Sequence, residues 1–297
     1  MTLELFLQYL VAGLTYGSVY AVVAIGFNIV YNASGVINFA QGEFVMLGGM
    51  TAASLSRVLP LPLAVAGAVA ATAAVGALVE LAFVRWLTRP SLLRLVVITI
   101  GVAILLREAA LAVWGEGVRS LPYFSGTEVS AFALGGVRVS PQVLWVLGTT
   151  AATVALLGLF FGHTMLGWEM RACAANRDAA ALCGIPTRRL LTLSFALAAA
   201  IGALAGCVVS PLSYTSYSMG EGLAVKGFTV AILGGLGNSS GAVAAGLVLG
   251  VLESLSVSLW PTAYKDVVAL TALLGILSLR PSGLFGSREA SRLREPA

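Results

Sequence analysis

The sequence predicts an all-α, polytopic membrane protein with about eight or nine transmembrane helices. Of its 297 residues, 59% are hydrophobic and only 10% are charged, whereas about 25% of the residues in a soluble domain are charged. Apolar runs recur along the whole chain, and most are close to the roughly 20 residues that a helix needs to cross the hydrocarbon layer. The runs are continuous rather than alternating, which excludes a membrane β-barrel.

These apolar runs give about nine candidate spans. The run at 222–236 is short for a crossing helix. Polar residues within 32–48 predict a broken or re-entrant segment, because such groups are tolerated at membrane depth only where protein, water or ligand satisfies them. The predicted spans are 5–31, 41–56, 61–86, 92–114, 141–162, 189–210, 222–236, 240–259 and 264–280.

Arginines cluster in three connections that fall on one side of the membrane in this map. The three clusters hold eleven of the 17 basic residues. Short cytoplasmic loops collect basic residues, so we expect an external N-terminus, a cytoplasmic C-terminus and an external loop at 115–140 whose composition favours a small hairpin. The clustered residues are Arg85, Arg89 and Arg94, then Arg171, Arg177, Arg188 and Arg189, and finally Arg280, Arg288, Arg292 and Arg294.

The largest predicted cytoplasmic loop, 163–189, contains the stretch RACAANRDAAALCGIP at 171–186. Its alanines and Leu182 favour a short helix. Gly184 and Pro186 are residues that commonly end a helix. We therefore expect a loop helix within this connection.

The helix predicted over 167–185 has a thin surface because most of its side chains are small. Such a helix can lie deep in a groove of another protein, and Arg171, Arg177 and Asp178 would orient it through charge pairs. A solvated or interfacial loop helix is the alternative interpretation.

A resemblance to a known family includes this loop. Asp178, Ala179, Ala180 and Gly184 match in spacing the EAA-x3-G signature of ABC importer permeases, with Asp in place of Glu. In that family the loop helix docks into the nucleotide-hydrolysing subunit.

Four segments of the chain, in order, resemble the LivH-type branched-chain amino acid permeases. They are GLTYGSVYAVVAIGFNIVYNASGVINFAQGEFVMLGG at 13–49, RACAANRDAAALCGI at 171–185, GFTVAILGGLGNSSGAVAAGLVLGVLES at 227–254, and LRPSGLFG at 279–286.

The resemblance implies that residues 1–297 form a single permease domain of an ABC importer in the bacterial inner membrane. It implies import of branched-chain or related hydrophobic amino acids by ATP-driven alternating access. The implied partners are a related second permease subunit in a heterodimer, two ATP-binding subunits and an external solute-binding protein. Relatives also carry urea, amides or aromatic acids, and Gln41 stands where many relatives have His. The implied residues for coupling to the ATPase are Arg171, Arg177, Asp178, Ala179, Ala180 and Gly184.

The chain contains no G-x4-G-K-[ST] phosphate loop, and this motif is the usual cradle for nucleotide phosphates. We therefore expect ATP and Mg to bind on partner subunits, and no cofactor on this chain. The glycine-rich stretch at 234–241, GGLGNSSG, is predicted to form a tight turn between two spans.

Several polar residues interrupt the apolar spans. In INFAQGEF, Asn38, Gln41 and Glu43 either line a translocation path or brace a helix break by hydrogen bonds to freed backbone groups. A regular helix would turn Glu43 away from the other two, so we expect the helix to break here. Glu253 and Lys226 must each pair or meet water, and both a path role and a structural role remain open. The candidate path residues are Asn38, Gln41, Glu43 and Glu253.

Glycines spaced as G-x3-G predict close helix packing at three places, because a glycine lets a neighbouring backbone approach. The pairs are Gly13 and Gly17, Gly202 and Gly206, and Gly246 and Gly250.

Other function classes fit the sequence less well. An ion-coupled secondary transporter would use Glu43, Glu253 and Asp266 as coupling groups, but that class does not require the loop helix. A membrane-embedded enzyme would need a clustered catalytic set, and the single His163 with scattered carboxylates does not provide one; a zinc site is excluded on the same ground. The net charge of +4 is small and dispersed, so the expected surroundings are a lipid bilayer and not nucleic acid.

Overall fold

The computed structural model describes residues 3–35, 37–86, 92–127, 129–134, 137–259, 261 and 264–279. Arg89, the four C-terminal arginines and residues 280–286 of the LRPSGLFG segment lie outside these ranges. The elements are α1 (Leu3–Ser34), α2 (Gln41–Leu55), α3 (Leu61–Val79) with a π-helical turn (Glu80–Val84), α4 (Leu92–Trp114), β1 (Phe132–Leu134), β2 (Val137–Val139), α5 (Pro141–His163), α6 (Met165–Ala175), α7 (Arg177–Leu182), α8 (Thr187–Ser213), α9 (Met219–Gly234), α10 (Ser239–Leu259) and α11 (Lys265–Leu279).

The predicted all-α, polytopic fold is confirmed, and each predicted span corresponds to a helix. Three of these helices, α2, α9 and α11, have only 15, 16 and 15 residues, fewer than the roughly 20 that a full crossing needs. Among the described residues, six helices are long and apolar enough to cross a membrane: Leu3–Ser34, Leu61–Val84, Leu93–Trp114, Pro141–His163, Thr187–Ser213 and Ser239–Ser258.

Helix α1 forms the centre of the bundle. Every residue from Gly17 to Val30 is buried, which is the expected environment of a helix that is apolar on all sides. It packs most extensively against α10, and also against α8 and α9. By contrast, α3 buries a single stripe of residues and exposes Leu63 and Leu78 on its outer face. Such exposed apolar faces suit a lipid environment.

The predicted glycine packing is confirmed where α1 crosses α10. A Cβ atom built on Gly17 would lie 2.6 Å from the carbonyl oxygen of Gly246, and one on Gly13 would lie 2.7 Å from Cα of Val251. The glycine pair of α8 serves a different contact: a Cβ on Gly202 would lie 3.1 Å from Cβ of Phe44 in α2. Backbone therefore packs directly on backbone along α1 and α10.

We expect Gly17→Val to destabilise the protein, because the added side chain would force α1 and α10 apart. Overpacking of a tight contact costs about 1–3 kcal/mol, so the thermal unfolding temperature in detergent should fall. Gly101→Val in α4 is the matched control, since a Cβ there meets nothing within 4 Å. Equal unfolding temperatures for the two variants would contradict the packing role of Gly17.

The loop at 115–140 contains the predicted hairpin, in which β1 pairs with β2 in antiparallel register. A second backbone pairing links this loop to the C-terminal end of α8. The amide of Arg119 donates to the carbonyl of Thr215 at 2.9 Å, and the amide of Thr215 donates to the carbonyl of Arg119 at 2.7 Å. The loop is therefore fastened to the bundle next to the start of α9.

Candidate functional site: the α6–α7 surface and the polar residues of the bundle

The loop predicted to contain one helix over 167–185 contains two. Asn176 separates α6 from α7, with an extended backbone (φ −158°, ψ 108°), and its Oδ1 accepts hydrogen bonds from the amides of Asp178 and Ala179 at 3.1 and 3.0 Å. The single-helix prediction is wrong because an Asn side chain that caps a new helix competes with continuation of the old one. The predicted end is confirmed: α7 ends at Leu182, and Gly184 has φ +83°.

Helix α6 folds back onto the end of α5. Thr164 caps it, accepting a hydrogen bond from the amide of Gly167 at 3.0 Å. Gly167 permits the close return, because a Cβ there would lie 2.7 Å from Cα of Phe161. Met170 and Cys173 are also buried. They follow Gly167 at intervals of three residues, so all three lie on the same face of α6. The helix pair is thus fixed to the bundle along one side.

The opposite side of the pair is open. Arg171, Asp178, Ala179 and Gly184 are exposed and Arg177 is half-buried. No salt bridge involves the two arginines or Asp178 within the described ranges. We name this the α6–α7 surface, and it consists of Arg171, Arg177, Asp178, Ala179, Leu182, Cys183 and Gly184.

Ala180 is the exception among the predicted coupling residues. Its side chain is only 5% exposed and packs into the hydrophobic core of this chain. A larger residue at Ala180 would therefore disturb the chain itself, whereas one at Ala179 would change only the exposed surface. The two alanines were predicted to act alike, and the structure separates them.

Two thiols in this loop differ in their surroundings. Cys183 is exposed and Cys173 is buried. Burial raises the pKa of the Cys173 thiol, and the charge of Arg177 opposes this only in part. Since the thiolate is the reactive form, Cys183 is the thiol of this loop that a labelling reagent should modify.

The α6–α7 surface lies at the end of the bundle where α1 stops and α9 turns into α10. The turn carries Gly235 and Gly237 at φ 90° and 88°, which confirms the tight turn predicted at 234–241. Asn28 accepts from the amide of Gly237 at 3.0 Å, and Asn32 donates to the carbonyl of Gly237 at 3.1 Å. A cavity of about 180 Å³ at this end is lined by Asn32, Met170, Arg171 and Gly237 among others. α6 is therefore in physical contact with the end of the central helix.

The predicted helix break is confirmed. α1 ends at Ser34, Gly35 has φ +70°, and α2 begins only at Gln41. Asn38 Oδ1 accepts from the amide of Ala40 at 3.1 Å, and Gln41 Nε2 donates to the carbonyl of Ala198 in α8 at 3.0 Å. These bonds fit the bracing interpretation.

Each of the three polar residues at the break also has an unpaired atom. Asn38, Gln41 and Glu43 are at most 1% exposed. Nδ2 of Asn38, Oε1 of Gln41 and Oε2 of Glu43 have no hydrogen-bond partner within the described chain. A role for these residues in the translocation path therefore stays a prediction.

Glu43 has a partner that sequence reasoning missed. Oε1 of Glu43 lies 3.5 Å from an Nη atom of Arg107 in α4, and the other Nη atom lies 2.8 Å from the carboxylate of Glu221 in α9. The signal in the sequence is Arg107 itself, an arginine well inside the apolar span 92–114, which requires a partner at membrane depth. This cluster connects α2, α4 and α9.

Lys226 and Glu253, each predicted to need a partner, pair with each other. Lys226 Nζ also lies 3.1 Å from Asp266 and donates to the hydroxyl of Tyr20 at 3.2 Å. Four helices, α1, α9, α10 and α11, therefore meet at one lysine. The predicted path residues thus lie in two clusters with different partners.

The fold and these surfaces define a polytopic membrane protein with a helical loop open to a partner. A family model described as the permease component of the branched-chain amino acid transport system matches residues 9–277, and the chain belongs to this family.

Three known relatives span most of the chain. The chain is 33% identical to the high-affinity branched-chain amino acid transport system permease protein BraD of Pseudomonas aeruginosa, over 97% of this chain and 98% of that protein. It is 32% identical to the high-affinity branched-chain amino acid transport system permease protein LivH of Escherichia coli K12, over 97% of this chain and 98% of that protein. It is 25% identical to the ribose import permease protein RbsC of the same organism, over 88% of this chain and 82% of that protein.

Proposed function

We propose that this chain is a permease subunit of an ABC importer that moves branched-chain or related hydrophobic amino acids across the bacterial inner membrane. The observation that carries the proposal is the α6–α7 surface: it is fixed to the bundle on one side and open on the other, and its exposed charges have no salt-bridge partner in the described chain. The known relatives BraD and LivH are named as branched-chain amino acid permeases, which supports the cargo class.

In this proposal the α6–α7 surface docks into an ATP-binding subunit. Closure of the two ATP-binding subunits on ATP and Mg would move the helix pair. The movement would reach α1 through the α6–α1 contact and α9–α10 through the Asn28 and Asn32 hydrogen bonds. Packed helices transmit such movements as rigid bodies, and alternating access requires only two such arrangements. ATP and Mg would bind on the partners, and this chain would supply no cofactor.

The proposed assembly contains a related second permease subunit as a heterodimer, two ATP-binding subunits and an external solute-binding protein. The binding protein would meet the end of the bundle that carries the loop at 115–140, since the α6–α7 surface lies at the other end. BraD and LivH are each named as the permease protein of a transport system, which supports a multi-subunit assembly.

We propose an external N-terminus and a cytoplasmic C-terminus, on the support of the three arginine clusters. A cysteine placed at position 126 in a chain lacking the native thiols should react with an impermeant maleimide in intact cells. Native Cys183, kept as the single thiol, should react only after permeabilisation. The reverse pattern would refute this topology.

Reconstituted uptake tests the proposed function against its alternatives. The complete complex in proteoliposomes, with the binding protein outside and ATP supplied to the ATPases, should accumulate leucine without any ion gradient. Uptake that needs a proton or sodium gradient and not ATP would support the secondary transporter. Uptake of urea, an amide, an aromatic acid or ribose in place of leucine would contradict the proposed cargo and leave the proposed ATP-driven mechanism unchanged.

A further inference from the structure

A second cavity, of about 320 Å³, lies between α1, α8, α9 and α11. Its wall includes Tyr214, the residue after α8, and Met219, the first residue of α9. It therefore lies toward the end of the bundle that carries the loop at 115–140, opposite the α6–α7 surface. In the proposed topology this cavity faces the outside.

One side of the cavity is polar, and Lys226 and Asp266 line it. Lys226 contacts three acceptors, Glu253, Asp266 and the hydroxyl of Tyr20, and an ammonium group has three donors. One oxygen of Glu253 has no hydrogen-bond partner in the described chain, and the Asp266 side chain is 61% exposed. Glu253 lies behind Lys226 and outside the cavity lining, so the exposed carboxylate of Asp266 supplies the acceptor atoms that remain available on this side.

The other side of the cavity is apolar. Val19, Val209 and Leu223 contribute aliphatic side chains, and Lys265 lines the cavity beside Asp266. Ligand sites are usually apolar walls with a few polar groups that fix orientation. An acceptor for an ammonium group, a donor for a carboxylate and an aliphatic wall together match a zwitterion with an aliphatic side chain.

Tyr214 lies at the cavity in a strained backbone conformation. Its φ is 57°, and left-handed backbone is uncommon for a residue other than glycine and costs energy. Contacts of the next residue stabilise this conformation. Thr215 pairs through its backbone with Arg119, and its hydroxyl donates to the hydroxyl of Ser210 at 2.8 Å. The loop at 115–140 thus helps to hold an aromatic residue at the cavity wall.

We infer that this cavity is the binding site for the amino acid cargo within the permease. Asp266 would accept hydrogen bonds from the α-ammonium group, and Lys265 would donate to the α-carboxylate. The aliphatic side chain would lie on Val19, Val209 and Leu223. Lys226 and Glu253 act as positioning residues that hold Asp266. The inference rests on the proposed function, since the cargo class comes from it.

Protection of a single cysteine by leucine tests this inference. In the assembled complex, with the native thiols replaced, Leu223→Cys places a thiol on the cavity wall and Val225→Cys places one on α9 outside the cavity. Val225 is 50% exposed and is absent from the cavity lining. Leucine should slow the reaction of N-ethylmaleimide with Leu223→Cys and leave Val225→Cys unchanged, whereas urea and ribose should protect neither.

The charge change Asp266→Asn should raise the leucine concentration that gives half-protection by about tenfold, because a hydrogen bond to a charged group is lost. Glu108→Gln, an exposed carboxylate of α4 outside the cavity, should leave it unchanged. Leucine uptake by the unmodified complex without protection of Leu223→Cys, or with an unchanged half-protection value in Asp266→Asn, would overturn the site assignment alone. Failure of the unmodified complex to import leucine would instead overturn the proposed function, and the inference with it.

Discussion

Replacing Ala179 with Trp is expected to abolish most ATP-driven uptake while the chain still inserts and folds. Ala179 is exposed in α7, between the exposed Asp178 and the buried Ala180. An indole at this position would hold the α6–α7 surface away from the ATP-binding subunit. Overpacking costs about 1–3 kcal/mol, which corresponds to a loss of about 5- to 150-fold in docking affinity. Uptake per hydrolysed ATP in proteoliposomes measures the loss.

Two further tryptophan variants separate docking from folding. Ala70→Trp makes the same change at an exposed alanine on the outer face of α3, away from the proposed contacts with the ATPase and the binding protein, and should transport normally. Ala180→Trp inserts the indole into the core of this chain and should lower the yield of folded protein. Normal uptake by Ala179→Trp would contradict the proposed role of the α6–α7 surface.

Replacing Arg107 with Met is expected to destabilise the bundle strongly. Glu43 is 1% exposed, and Arg107 is its salt-bridge partner in the described structure. Removing one partner of a buried ion pair costs about 3–5 kcal/mol, because the remaining charge is buried without compensation. The thermal unfolding temperature of the purified protein should therefore fall. The double variant Glu43→Gln with Arg107→Met should recover part of the loss.

Glu221→Gln is the matched control for this experiment. Glu221 pairs with the same arginine, but its side chain is 65% exposed, and an exposed ion pair contributes only about 0–1 kcal/mol. Equal unfolding temperatures for Arg107→Met and Glu221→Gln would show that leaving the buried Glu43 without its partner does not lower the free energy of unfolding. Uptake measured on the same preparations distinguishes the two interpretations of Glu43: loss of folded complex indicates bracing, and loss of transport in an intact complex indicates a path residue.

Sequence reasoning worked best where one physical rule dominated. The long apolar run of α1 indicated a span, and its lack of a polar face agrees with its central position. The G-x3-G spacing of Gly13 and Gly17 predicted a close contact between backbones, although the partner helix, α10, emerged only from the fold. The polar cluster after Gly35 predicted the helix break, because an unbroken helix would have turned Glu43 away.

The failures have equally specific causes. The alanine-rich loop favoured one continuous helix, but the cap formed by Asn176 ended α6 and started α7. Apolar composition alone also left open whether the short runs at 41–56 and 222–236 cross fully; the lengths of α2 and α9 are limited by the break before Gln41 and by the turn at Gly235. The pairing of Glu43 with Arg107 joins residues that are 64 positions apart, and a single sequence does not encode such a pairing in any local pattern.

Labelling of Cys183 with and without the ATP-binding subunits tests the central claim most directly. Cys183 is exposed on the α6–α7 surface, while Cys173 and Cys207 are buried and can be replaced by Ala. Maleimide should modify Cys183 readily in inside-out vesicles that contain the permease pair alone. Binding of the ATP-binding subunits should protect it, and Ala179→Trp should abolish the protection. An unchanged labelling rate in the complete complex would contradict docking of the ATPase on this surface.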